Sequence, residues 1–278
     1  DHELRITHIL RGQEHALNTV KQKYIYDYLG WKYPHVLNLG RLSLLGMVLS
    51  KSKTRKGIRE GIYSGWSDPK LGTLRALRRR GFSPIALRKL ILDIGVTSRD
   101  STIAFENLAA YNRKVVDKIA NRHFFVEEPV KIKITCDGQI ASKLPKSVKA
   151  PLHPTMQRGY RVLRLNEQFE VYVDRSDFER HRNSEVRLKY LCNVRLGETA
   201  RLTSIEVKKG LPIIHWVPVG SEIEVKLIRP EKTSLGVGEA DLFAEKIDAI
   251  VQFERVGFAR IEKVDKEEKK ITAVFGHK

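Results

Sequence analysis

Cysteine is nearly absent from this sequence: the two residues in 278, Cys136 and Cys192, lie far apart without the local His or Cys partners that a zinc site needs. Reduced core thiols in a cytoplasmic protein are the expectation. No run approaches the roughly 20 consecutive apolar residues of a transmembrane helix. Asp1-His2-Glu3-Leu4-Arg5 also lacks the charged-then-apolar order of a signal peptide, so no membrane partner is expected. Long internal repeats and low-complexity tracts are missing, which excludes solenoid architectures. No Met stands at position 1, and the chain is expected to begin inside a longer protein. Acid is scarce relative to base, with 33 Asp and Glu against 51 Lys and Arg, a net charge of +18 and a pI near 9.9. Such a field draws polyanions, nucleic acid first among them; a solvated surface that merely favours Lys and Arg is the other reading.

What is present is 41% hydrophobic and 8% aromatic, enough for two or three packed cores. Up to about residue 120 the periodicity is helical. Ala16, Leu17, Val20, Tyr24, Ile25 and Tyr28 fall at three- and four-residue intervals before Gly30, predicting a helix over 13–29 with one apolar face turned inward. Ser83-Pro84 opens a second helix that runs to Gly95, and a third follows Ser101 through Phe105, Leu108, Val115, Val116 and Ile119. From about Phe124 the period becomes two. Val130–Ile134, Phe169–Val173 and Glu222–Leu227 alternate strictly, and shorter apolar runs follow at 186–191, 202–207, 213–217, 249–253, 259–264 and 271–275. These predict antiparallel strands closing into one or two barrels, with 143–154 as a loop and a domain boundary near Arg122.

Three segments carry candidate chemistry. Val48-Leu49-Ser50-Lys51-Ser52-Lys53 sets two hydroxyls around a lysine on what reads as a mobile loop, able to donate to phosphate oxygens and neutralise them; a plain solvated basic loop is the alternative. It is no Walker loop, because the cradling glycines are absent. Arg5-Ile6-Thr7-His8-Ile9-Leu10-Arg11-Gly12-Gln13-Glu14-His15 reads as a strand whose carboxyl end leads into the first helix, where open α/β sheets bind ligands. Arg11 there could grip a carboxylate with two donors, or the segment could be an ordinary turn. Around a short helix, Lys70, Arg75, Arg78, Arg79 and Arg80 form a basic cluster suited to a phosphate backbone.

Taken in order, Thr7–His15, Val48–Ser52, Gly65-Trp66-Ser67-Asp68-Pro69 and Leu77-Arg78-Arg79-Arg80-Gly81 resemble class I glutamyl-tRNA synthetases of the archaeal type, close to the glutaminyl-tRNA synthetases. The likeness continues through Asn121-Arg122-His123, Glu185-Val186-Arg187-Leu188, Ile214-His215-Trp216-Val217 and Phe253-Glu254-Arg255-Val256-Gly257-Phe258.

This resemblance implies a multidomain α+β chain. The C-terminal part of a Rossmann-like catalytic domain would occupy 1–48, a signature loop and helical tRNA-contact region 49–121, and two antiparallel anticodon-binding barrels 122–278. It implies an ATP-dependent ligase with Mg2+, acting on glutamate and tRNA and working as a monomer, with no metal held by the protein. Lys51, Ser50 and Ser52 would be catalytic, as a variant of the Lys-Met-Ser-Lys-Ser signature from which Val48 and Leu49 depart. Arg11 would hold the glutamate side chain, and Glu14, His15 and Lys51 would lie at the ATP. Arg122, Arg187, Lys189, Arg78 and Arg79 would contact tRNA. The family's His-Ile-Gly-His signature is not in the sequence, so the chain alone is expected to bind tRNA without activating glutamate. Glutaminyl specificity and a non-catalytic tRNA-binding module are the alternatives.

Overall fold

The computed structural model describes residues 1–136, 144–155 and 157–278. Its first strands, β1 (His8–Gly12) and β2 (His35–Leu39), pair in parallel. They are joined by a single 3-10 turn and α1 (Ala16–Tyr28), the crossover that a parallel pair requires. The helix is where its period placed it, but its apolar stripe is not turned inward. Leu17, Val20, Tyr24, Ile25 and Tyr28 are exposed, and only Tyr26 is buried, between the rings of Trp31 and Tyr33. Two strands offer too little surface to cover a 13-residue helix on more than one line.

After β3 (Leu42–Leu44) come four helices: α2 (Lys51–Arg59), α3 (Leu74–Arg79), α4 (Pro84–Ile94) and, beyond β4 (Ser101–Ile103), α5 (Phe105–Val116). The caps follow the sequence chemistry. Thr73 accepts from the Ala76 N–H at 3.1 Å and Ser83 from the Ile85 N–H at 3.2 Å, with Pro84 in the first turn. The third predicted helix starts four residues later than Ser101, because Ser101–Ile103 pairs with β3 instead. Leu77, Phe82, Leu90, Ile103 and Leu108 form the core of this region.

The remainder is strand. It comprises β5 (Asn121–His123), β6 (Phe125–Val126), β7 (Pro129–Thr135), β8 (Ser147–Pro151), β9 (Tyr160–Arg164), β10 (Glu170–Asp174) and, after the short α6 (Arg175–Arg180), β11 (Glu185–Leu188). Then follow β12 (Cys192–Arg195), β13 (Thr199–Ser204), β14 (Ile213–Ile214), β15 (Trp216–Pro218), β16 (Ile223–Ile228), β17 (Thr233–Gly238), β18 (Ile250–Phe253), β19 (Gly257–Asp265) and β20 (Lys270–His277). The predicted loop over 143–154 contains β8, paired antiparallel with β9, while Lys143 itself lies outside the described residues.

The strands build two seven-stranded sheets, ordered β14-β11-β12-β13-β7-β10-β15 and β5-β18-β19-β20-β16-β17-β6. Neither is purely antiparallel, which corrects the strand direction expected of the barrels. β11–β14, β7–β13, β5–β18 and β16–β20 run in parallel. Side chains alternate with period two in both kinds of ladder, so an alternating sequence leaves strand direction open. In the second sheet, β5 and β6 occupy opposite edges although only Phe124 separates them in the chain. The sheet therefore curls until its edges nearly meet, giving a barrel-like form. At this junction the alternation divides neighbours between two cores: Phe124 and Val126 belong to that of the first sheet, Phe125 to that of the second. Gly236 lies where β17 meets β6; a Cβ there would sit 2.2 Å from the Val126 carbonyl oxygen, so only glycine permits the approach.

Candidate functional site

Ser50 is the N-cap of α2 rather than part of a mobile loop. Its backbone is extended, its Oγ accepts from the Lys53 N–H at 3.5 Å, and the Ser52 hydroxyl lies 3.1 Å away. Lys51 and Ser52 thus fall in the first helical turn, with Ser50, Lys51, Ser52 and Lys53 all exposed. Free N–H groups of a first turn and the positive end of the helix dipole favour an anion here. Lys51, which has no carboxylate partner among the described residues, adds a full charge. Arg41, Ser43, Met47, Leu49, Ser50 and Lys53 line a cleft of about 600 Å³ at this end. This donor set suits a phosphate. Among the described residues no three His, Cys, Asp or Glu side chains are grouped to hold a metal ion.

Arg11 lies at the carboxyl end of β1, opposite Asn38 of β2. Its guanidinium donates to Gln22 Oε1 at 2.9 Å, and the Tyr33 hydroxyl donates to the same oxygen at 3.2 Å. Gln22 therefore orients Arg11 without neutralising it. Arg11, His15, Asn18, Lys21 and Gln22 surround a recess of about 300 Å³. Glu14 and His15 are exposed, and His15 Nδ1 lies 3.5 Å from Asn18 Nδ2. The structure brings Arg11 and His15 together, but this recess shares no lining residue with the cleft at Ser50.

The basic cluster divides into three environments. Lys70, Arg75 and Arg78 are exposed. Arg79 forks onto Glu262 of β19, with Nε and Nη2 donating at 2.6 and 3.0 Å. Arg80 is buried; it donates to the Gly276 carbonyl at 2.6 Å and the Phe275 carbonyl at 3.2 Å and lies 4.6 Å from the Phe105 ring centroid. Burial pulls its pKa down to about 10, which still leaves it charged at neutral pH.

Arg122 lies on β5, directly opposite Gln252 of β18. Arg122 Nε, Gln252 Oε1 and the neighbouring Asn121 Oδ1 are buried without a hydrogen-bond partner. Asn121 turns to the opposite face, where its Nδ2 donates to Glu245 Oε1 at 2.6 Å, and the Arg122 Nη2 lies 3.6 Å from Asp117 Oδ1. The orphaned pair on the Arg122 face is therefore Arg122 Nε and Gln252 Oε1, costly unless a ligand completes them. Gln252 escaped the sequence reading because only the parallel pairing of β5 with β18 places it beside Arg122. Arg187 is not on a solvent face. It is buried, and its Nη1 donates to Asn193 Oδ1 at 2.9 Å and to the carbonyls of Ile205 and Glu206 at 3.1 Å each.

Lys189 pairs with Glu254, the entry to a buried charged network. From Arg161, 1% exposed, Nη2 reaches Glu254 at 3.1 Å, Nε reaches Glu239 at 3.1 Å, and the guanidinium carbon stands 4.7 Å from the Phe124 ring centroid. His123 directs Nδ1 at Glu239 (2.6 Å) and Nε2 at Glu245 (2.9 Å), a geometry that only the doubly protonated ring fully satisfies. Burial works to lower the His123 pKa, but the hydrogen bonds to Glu239 and Glu245 prevail and raise it. A folded-state value above the unfolded one means stabilisation that is complete below about pH 6.5 and lost as pH rises through the raised value. Urea unfolding between about pH 6 and pH 9 should therefore show stability falling with pH, and His123→Gln should flatten that slope.

Comparisons with known proteins agree along the chain. The family model described as tRNA synthetases class I (E and Q), catalytic domain, matches residues 1–118. Two models described as the anti-codon binding domain of the same class match residues 120–210 and 213–262. The chain is 47% identical to the glutamate–tRNA ligase of Pyrococcus furiosus, 45% to that of Thermococcus kodakarensis and 42% to that of Archaeoglobus fulgidus. In each case all of this chain is covered, against 49% of the relative. The chain thus spans about half the length of the curated relatives it matches. With matches to the catalytic and both anticodon-binding models in succession, and archaeal relatives along its full length, it belongs to the class I tRNA synthetases of the glutamate and glutamine group.

Proposed function

We propose that this chain works in a glutamate–tRNA ligase, in which ATP and glutamate form glutamyl-adenylate with release of pyrophosphate before the glutamyl group passes to the terminal ribose of tRNA. The observation carrying this reading is the identity with proteins named glutamate–tRNA ligase over all 278 residues. Residues 1–48 would complete the catalytic domain, 49–121 would carry the signature segment and the inner-face tRNA contacts, and 122–278 would bind the anticodon.

Lys51, with the Ser50 and Ser52 hydroxyls, would stabilise charge on the triphosphate as pyrophosphate departs. Mg2+ would arrive on the nucleotide's phosphates. Glu14 and His15 would lie at the ATP. Arg78 is free to meet a backbone phosphate; Arg79 could do so only by sharing or leaving Glu262. Arg122 and Gln252 offer an adjacent donor and acceptor for the edge of an unpaired base. Arg187 would shape that region from beneath, and Lys189 would reach RNA only while sharing Glu254. The enzyme would act as a cytoplasmic monomer.

Because the matched models cover both glutamate and glutamine enzymes, the choice of amino acid falls to Arg11. A guanidinium held by Gln22 favours a carboxylate over an amide. In the intact ligase, Arg11→Gln should lower kcat/KM for glutamate by roughly 10–100-fold, the scale of one charge-assisted hydrogen-bonding contact. Aminoacylation with the two amino acids in competition tests the assignment; preference of the unmutated enzyme for glutamine would overturn it.

A further inference from the structure

The β8–β9 ribbon presents its two faces to different surroundings. Arg161 and Leu163 turn inward with Ala150, while Tyr160, Val162 and Arg164 face solvent in a strict exposed-buried alternation. The register sets Ser147 opposite Arg164, Lys149 opposite Val162 and Pro151 opposite Tyr160. The outer face therefore carries one aromatic ring and two cations, with no carboxylate at any of these six positions. Tyr160 is 68% exposed. Glu239 and Glu254 meet the ribbon on its inner side through Arg161, and Asp241 Oδ2 accepts from the Val162 N–H at 2.7 Å.

A lone exposed tyrosine is ordinary; its position is not. The Arg122 N–H donates to the Leu152 carbonyl at 2.7 Å, and the Leu152 N–H donates to the Gly159 carbonyl at 3.1 Å. Backbone bonds thus run from Arg122 through Leu152 to Gly159, the residue before Tyr160, while Gln252 stands opposite Arg122 on the other flank of β5. Beside it, Pro151, His153, Thr155, Arg158 and Tyr160 line a cleft of about 360 Å³.

We propose that Tyr160 is a stacking platform for an unpaired base of an RNA loop, next to the nucleotide held at Arg122, with Lys149 and Arg164 neutralising the flanking phosphates. An aromatic face between cations is the arrangement that single-stranded RNA uses, because every base has a π face and every linkage a charge. The assignment rests on the tRNA reading above and adds a specific subsite to it.

The test uses the 278-residue chain and tRNA transcripts with 2-aminopurine placed at successive anticodon-loop positions. Tyr160→Ala should weaken binding roughly ten-fold and abolish the fluorescence quenching at one loop position, while Tyr160→Phe retains both. Lys149→Glu should reduce the salt dependence of binding by about one counter-ion. Unchanged affinity and quenching in Tyr160→Ala, with the unmutated chain binding tRNA, would overturn the Tyr160 subsite and leave the tRNA reading standing. Failure of the unmutated chain to bind any tRNA transcript would overturn both. Loss of binding to a protein partner, with RNA binding intact, would reassign the face to protein contact and overturn the subsite.

Discussion

Replacing Lys51 by alanine in the intact ligase should slow glutamyl-adenylate formation by roughly 10²–10³-fold and leave tRNA affinity unchanged. Lys51 stands in the first turn of α2, exposed and without an ion-pair partner among the described residues, so its removal leaves no orphaned group and does not threaten the fold. Its charge is useful only where negative charge accumulates beside it. In an ATP-dependent ligase that moment is the departure of pyrophosphate, when stabilisation exceeds that of the bound substrate and appears in kcat. Pyrophosphate exchange measures this step, and filter binding measures tRNA affinity. If exchange were unaffected and only tRNA binding fell, the head of α2 would be an RNA contact and the chain a binding module.

Arg161→Met should be the most destabilising single substitution in the strand-rich region, at about 3–5 kcal/mol in urea unfolding. The guanidinium bridges Glu239 and Glu254, both buried, and removing it leaves them only His123 and Lys189 as cationic partners, so the buried network is short of one positive charge. Adding Glu239→Gln and Glu254→Gln should restore part of the loss, because the cost comes from uncompensated charge rather than from missing packing. A triple variant no more stable than the single one would place the cost in lost contact with Phe124 instead.

Much of this architecture was legible in short stretches. Alternation at Val130–Ile134 located β7, and Ser83-Pro84 located the start of α4. Ser50 could be seen as a hydroxyl beside Lys51, and its role as a helix cap emerges only with the backbone that follows it. Arg187 and Arg122 show the limit more sharply. Both are arginines on strands, yet one spends its donors on the Ile205 and Glu206 carbonyls, and the other keeps Nε unpaired opposite Gln252. Partners separated by 18, 19 and 130 positions are invisible to local periodicity. The exposed stripe of α1 illustrates the converse: period reveals that an apolar face exists, and only neighbouring elements decide whether it is covered.

Arg80 donates to the Pro69 carbonyl behind it and to two carbonyls of residues 195 and 196 positions further along the chain. On a ribosome this ordering has a temporal meaning. Arg80, at the end of α3, leaves the exit tunnel before β20 exists, with two of its guanidinium's final acceptors still untranslated. The contacts that fix α3 against β20 therefore form only after the 195 residues up to Phe275 have followed Arg80 out.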